Sequence, residues 1–227
     1  MILKVTSAFL SFICGLALLI FLLISSFGMA AFYDIDYFGY EFEKNSIDKV
    51  TGYSIEKLEN EAQLLLDYML LDEAEEEFQN STFFNEREKL HMKDVKDIVQ
   101  SALNIRRVCM VLIAVSLGAV IIFRLNKFVF IKFFTFSFGL IGILFYILAG
   151  VSVLNFNKAF IIFHEVLFNN DLWLLDPRES LMINMLPESF FVDTFVRVCL
   201  TFSVLWAVIF FVSIHLIKRL RHDGAGD

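Results

Sequence analysis

VTSAFLSFICGLALLIFLLISSF (5–27) contains no charged side chain. A signal-peptide core runs to about 7–15 apolar residues, and this stretch is longer. It meets the roughly 20 residues that a helix needs to cross a bilayer. Gly28-Met29-Ala30 loosely resembles a cleavage site, but the length of the run before it favours an uncleaved span. The same reading, carried along the chain, marks three further spans at 104–124, 133–154 and 195–217. Hydrophobic residues make up 58% of the chain and 28 residues are phenylalanine, far beyond what a soluble domain of this length carries. The mean hydropathy is +0.68. Two polar inserts lie between the spans, at 28–103 and 155–194, and a short tail follows at 218–227. With two prolines and ten glycines there is no low-complexity linker, and there is no internal repeat.

The basic residues set an orientation. Lys4 precedes the first span, Arg124, Lys127 and Lys132 fill the turn between the second and third, and Lys218, Arg219 and Arg221 follow the fourth. Short loops rich in Lys and Arg stay on the cytoplasmic side. Both termini are therefore expected inside and both inserts outside. The net charge of −7 comes mostly from the long insert, which holds DEAEEEF (72–78). Such a run reads as a solvated face and argues against a nucleic-acid partner. Cys14, Cys109 and Cys199 all fall within spans and read as small apolar residues. Arg106, Arg107 and Arg197 sit at the outer ends of spans. They either snorkel to lipid phosphates, or one of them contacts the head-group region of a bound substrate.

Within the long insert, Ser54 is placed to cap a helix running to about Asp72. Leu58, Ala62, Leu65 and Met69 recur at helical spacing and form one apolar stripe. A second helix is expected from near Asn85, where Glu88 three residues on completes a capping-box pattern, and it can continue unbroken into the second span. At about 100° per residue, His91 aligns with Val95, Ile98 and Ala102, while Lys93, Lys96 and Gln100 point away. His91 is thus expected on the buried face. Asp94, nearly one turn along, can reach the same side and fix the imidazole tautomer. The plainer alternative is a core histidine satisfied by Asp94.

The second insert opens with FHEVLFNNDLWLLDP (163–177), in which His164 follows the third span almost directly. Asn169, Asn170, Asp171 and Asp176 alternate with Phe163, Phe168 and Trp173, and Pro177 and Pro187 break any regular helix. An interfacial aromatic belt accounts for Trp173. It leaves the Asn-Asn-Asp cluster unexplained, which suits a pocket for a lipid ester. There is no GxSxG nucleophile motif, no thiol outside a span, and no HExxH or close histidine pair for a metal. His91, Asp94, His164 and Asp171 could ligate a metal on paper. The remaining chemistry is general acid–base work by two histidines on a substrate that supplies its own nucleophile.

HMKDVK (91–96), TGYSIEKL (51–58) and FHEVLFNNDLWLLDP (163–177) with LPESFF (186–191) together resemble the bacterial lipoprotein intramolecular transacylases. The resemblance covers nearly the whole chain. It implies an extracellular cap over four helices, with His91 and His164 as catalytic residues at the boundary of cap and membrane. No cofactor and no metal are expected. The implied substrate is a lipoprotein whose N-terminal cysteine carries a diacylglyceryl thioether, and the sn-2 acyl chain moves to the α-amino group of that cysteine to give the lyso form. The expected fold is therefore an all-α membrane protein, four transmembrane helices with a small, mainly helical extracellular cap, in the bacterial plasma membrane.

Because amine and ester belong to one molecule, no acyl-enzyme is needed. The path from nitrogen through sulfur to the ester carbon closes a ring of about eight members, which requires a rigid pocket. Phe168 and Trp173 are candidate walls, with Arg106 and Arg107 nearer the head group. One histidine would take the amine proton, and the other would donate to the ester oxygen or stabilise the oxyanion. Asp94, Asp171 and Asn170 are candidates to orient and support them. Two other classes compete. A non-enzymatic membrane chaperone would need neither histidine, and a metal-dependent membrane hydrolase would be inactivated by a chelator.

Overall fold

A computed structural model of the chain describes residues 2–32 and 34–223. Every regular element among them is helical: α1 (Ile2–Ala31), α2 (Ile35–Lys44), α3 (Ile47–Thr51), α4 (Ile55–Leu70), α5 (Glu75–Asn80), α6 (Glu86–Ile122), α7 (Lys127–Leu154), α8 (Phe156–Leu167), α9 (Leu181–Met185) and α10 (Glu188–Asp223). A single 3-10 turn, Asp72–Ala74, joins α4 to α5. Helices α1, α6, α7 and α10 are long and apolar enough to cross a membrane. In a bilayer, a helix satisfies every backbone N–H and C=O internally, so it is one of the few structures that can span. Helices α1 and α10 extend beyond both ends of their apolar stretches, α6 and α7 beyond the N-terminal end, and α6 stops at Ile122.

The residues form two compact units. The first holds Met1–Phe27, Asn104–Val151 and Val198–Asp227. Its interior is aromatic: Phe134 stacks on Phe138, and Trp206 on Phe210 at 4.9 Å. Gly142 makes this packing possible, since a Cβ there would lie 2.2 Å from Trp206 Nε1. Small residues at a helix contact let a neighbour approach where hydrophobicity alone gives no drive between helices. Tyr146 donates to Ser203 Oγ at 2.9 Å, so the hydroxyl is satisfied within the unit. The opposite faces carry exposed Ile121, Leu148 and Phe211, as lipid-facing surfaces do.

The second unit holds Gly28–Leu103 and Ser152–Arg197 and contains all residues of the candidate site except Arg106 and Arg107. Its core gathers Phe38, Phe42, Leu58, Leu65, Tyr68, Phe78 and Met185. The stripe of Leu58, Ala62, Leu65 and Met69 faces inward, and Ser54 caps α4 by accepting from Lys57 N at 3.3 Å. The helix ends at Leu70, slightly before the expected Asp72. Tyr68 stacks on Phe78 at 4.1 Å, with Lys96 Nζ 4.5 Å over the Tyr68 ring.

One feature differs from the expectation: Arg197 pairs with Asp34 and stacks 4.1 Å over Tyr37, so its charge serves this unit. In the second insert α8 follows α7 after Asn155 alone, and its N-terminus is capped by Asn155 accepting from Lys158 N. Pro177 and Pro187 lie outside the helices, on either side of the short α9.

Candidate active site

The first turns of α6 carry His91, and they are held in place by Glu88. Its Oε2 accepts from Asn85 N at 2.7 Å while Asn85 Oδ1 accepts from Glu88 N at 3.0 Å, a closed capping box. The other oxygen, Oε1, accepts from Ser180 Oγ and from Met182 N. Glu88 is fully buried. One carboxylate therefore fixes the helix start and ties it to the segment entering α9. The sequence identifies Glu88 only as a cap; its second set of partners lies more than 90 residues away and leaves no local signal.

Residues 168–175 return along the same face of α6. Arg87 donates to the Asp171 carbonyl oxygen. Asn170 Nδ2 donates to Asp94 Oδ2 at 2.8 Å, its Oδ1 accepts from Leu172 N, and its carbonyl accepts from Trp173 Nε1 at 3.0 Å. Asn170 thus joins the helix bearing His91 to the indole beside His164. This is where the expected Asn-Asn-Asp cluster acts, and it acts through Asn170.

The two imidazoles meet, with ring centroids 6.1 Å apart and side chains only 7% and 8% exposed for His91 and His164. Phe168 packs against both, 5.2 Å from His91 and 5.5 Å from His164. Trp173 lies 4.9 Å from His164, and Phe160 closes the other side at 4.2 Å. These walls are apolar except at the indole N–H, which Asn170 already occupies.

The protonation states follow from this surrounding. Burial, reinforced by the neighbouring His164, pushes the His91 imidazole down to about 4 against a smaller opposing pull from Asp94. Burial also lowers His164, while the Phe160 carbonyl works the other way. Desolvation disfavours the charged form, and two close imidazoles disfavour each other's protonation. Both rings are therefore neutral at pH 7. His164 Nδ1 lies 2.8 Å from Phe160 O. A carbonyl only accepts, so Nδ1 carries the hydrogen and Nε2 keeps the lone pair. His91 Nδ1 is buried and has no hydrogen-bond partner among the described residues. A buried polar atom left without a partner is rare and often marks a functional position.

Four expected site residues stand elsewhere. Asp94 gives its carboxylate to Asn170 rather than to His91, so it does not fix the imidazole tautomer by a direct bond, and the plainer reading of a core histidine satisfied by Asp94 fails with it. The Asp171 side chain is 78% exposed and faces Arg87 at 3.6 Å, because only its carbonyl is drawn towards α6. Arg106 and Arg107 belong to the first unit, where Arg107 Nη1 donates to Asn104 Oδ1 at 2.7 Å. Among the described residues no three His, Cys, Asp or Glu side chains converge as a metal donor set.

Comparison with known proteins adds a second line. The sequence profile of the lipoprotein intramolecular transacylase Lit matches residues 12–191. The fold is similar to the in meso structure of the membrane integral lipoprotein intramolecular transacylase Lit from Bacillus cereus, with a TM-score of 0.79 at 17% identity over 95% of this chain and 98% of that one. A form of the B. cereus protein with a histidine replaced by alanine gives 0.74 at 17% identity, over 95% of this chain and 96% of the other. A form with a histidine replaced by arginine gives 0.65 at 19% identity, over 92% and 93%. At these identities the likeness is one of fold. No curated protein sequence matches the chain.

Proposed function

The chain belongs to the lipoprotein intramolecular transacylase family, and on that premise we propose that His91 and His164 carry the acid–base steps of its reaction. It is an integral membrane acyltransferase. Its substrate is a lipoprotein, and the sn-2 acyl chain of the diacylglyceryl group moves to the α-amino group of the N-terminal cysteine, giving the lyso form. The observation that supports the two-histidine reading is the buried pair itself, neutral and walled by aromatics, with one ring nitrogen orphaned.

His164 Nε2 takes a proton from the α-amine as its nitrogen attacks the sn-2 ester carbon. The N–C bond forms, and the carbonyl electron pair moves onto oxygen. A neutral His91 donates an N–H hydrogen bond to that oxyanion, a kind of contact worth about 10²–10³-fold in rate. The intermediate then collapses by breaking the bond between the acyl carbon and the sn-2 oxygen. The proton held on His164 passes to that oxygen, leaving an amide and a free hydroxyl. Nothing is gained or lost. Phe168, Trp173 and Phe160 confine the medium-sized ring that this attack requires, and pre-organisation of this type replaces entropy otherwise lost at the barrier. Asn170 keeps Trp173 in register with α6. We assign the inserts 28–103 and 155–194 to an extracellular cap, both termini to the cytoplasm of a bacterial plasma membrane, and Arg106 and Arg107 to the phosphate level of the surrounding lipid and substrate.

The test uses purified protein in detergent with a diacylglyceryl-cysteine lipopeptide, half of it carrying deuterated acyl chains. Tandem mass spectrometry should find an unchanged parent mass, an N-acyl fragment, and no exchange of label between molecules. Loss of one acyl chain as free fatty acid would instead identify a hydrolase, and an unreacted peptide would favour a non-enzymatic partner.

A further inference from the structure

The helix that carries His164 has a second face, which the acyl-transfer chemistry does not use. Around α8, His164 points inward with Phe160, and the opposite side presents Ile162 and Val166. Ile162 is 49% exposed, Phe163 55% and Val166 76%. At about 100° per residue these side chains, with Ala159, Phe156 and Leu167, fill one continuous apolar arc. Lys158 and Glu165 fall together on a single flank, both exposed. Leu174, in the loop after the helix, adds a further exposed apolar side chain. The arc is too wide and too apolar for a water-facing surface, where contiguous apolar patches mark an interaction site.

What covers this face is indicated by where α8 starts. It follows α7, a membrane-spanning helix, after Asn155 alone, and the last residue of α7, Leu154, is itself exposed. The helix therefore begins at the level where a span leaves the hydrocarbon. A short helix with an apolar arc, one polar flank and a basic residue on that flank has the composition of a helix lying in the lipid–water interface. Lys158 can snorkel its ammonium towards head groups from there.

We propose that α8 lies flat in the membrane interface with Ile162, Phe163 and Val166 among the acyl chains, so that a diacylglyceryl group reaches His164 laterally from the lipid layer rather than from water. The partner of this surface is the bilayer. The lateral-delivery part rests on the reading of His164 as catalytic; the seating of the helix does not.

Two measurements separate these parts. For the seating, single cysteines are placed at Val166, Glu165 and Glu76 in a chain whose Cys14, Cys109 and Cys199 are changed to Ala, and each is labelled with an environment-sensitive fluorophore in phosphatidylcholine vesicles. The label at 166 should be quenched by lipids brominated on the acyl chains and shielded from aqueous iodide, the label at 76 should behave oppositely, and 165 should fall between. Iodide quenching at 166 equal to that at 76 would overturn the seating. For the delivery, Ile162→Lys with Val166→Lys should lower kcat/KM for a vesicle-borne lipoprotein about tenfold more than for a water-soluble short-chain analogue. Equal effects on both substrates, whether none or a loss, would overturn lateral delivery. An active His164→Gln enzyme would refute the catalytic reading while leaving the fluorophore depths unchanged.

Discussion

A histidine taken out of water loses affinity for protons before it loses its capacity to hydrogen-bond. His91 is neutral down to about pH 4 because burial and the adjacent ring both oppose charge. The unfolded chain protonates the same residue near pH 6.5. Between those values the unfolded state binds the extra proton, so stability is complete above about 6.5 and declines as pH falls towards 4. His91→Gln should flatten that decline, measured as the melting temperature in detergent from pH 7.5 to 4.5; parallel curves for variant and parent would contradict the lowered value. Asp94 is only a minor contributor to this balance and does not bond His91. Asp94→Asn should therefore keep turnover within about tenfold, since its Oδ1 can still accept from Asn170, whereas Asn170→Ala should cost more because it loses both the bond to Asp94 and the acceptor for Leu172 N, loosening the turn whose backbone carbonyl holds Trp173. The histidines were legible in the sequence through helical phase and neighbouring polar clusters. Their supports were legible only in part: Asn170 stood among the candidates, but its partner Asp94 depends on how a loop returns along α6, and the Phe160 carbonyl that meets His164 leaves no local signal.

At the scale of the element, caps and stripes were the readable part. Ser54 and the Asn85–Glu88 box are local patterns, and each makes the hydrogen bonds its spacing predicts. Helix α8 is amphipathic, with Phe160 and His164 on one side and Lys158 and Glu165 together on a flank, but it starts one residue after the third span and its first half merges with that apolar run in the sequence. Glu88 shows what an element-level error would cost. Glu88→Ala removes the acceptor for the part-buried N–H of Asn85 and for the buried N–H of Met182 and hydroxyl of Ser180. With about 1–3 kcal/mol for each donor left unsatisfied, the loss should be roughly 3 kcal/mol or more. Thermal unfolding of the purified variant checks this, and a melting temperature unchanged from the parent would show that the anchor is dispensable. Phe78→Ala, which opens a cavity under Tyr68, should cost a similar or larger amount, about 3–5 kcal/mol.

For the whole molecule, hydropathy fixed the number of spans, because the cost of placing a charge in hydrocarbon is paid locally and read locally. Helix α6 carries His91 in one compact unit and continues into the other. The orientation rests on Lys4, Arg124, Lys127, Lys132 and the basic tail. An Asn80→Cys label, placed on the exposed end of α5, should react with a membrane-impermeant maleimide added outside intact cells. Reaction only after permeabilisation would reverse the topology and move the site to the cytoplasmic face. The central claim, that two buried histidines act together on one substrate, is tested most directly by the N-acyl fragment yield of the lipopeptide reaction for His91→Gln, His164→Gln and the double variant. Each single change should lower turnover by about 10²–10⁴-fold with the fold intact, and the double change should be little worse than either, as for groups that work as a unit. Near-parental conversion by either single variant would show that histidine to be structural, and the two-histidine account would fail.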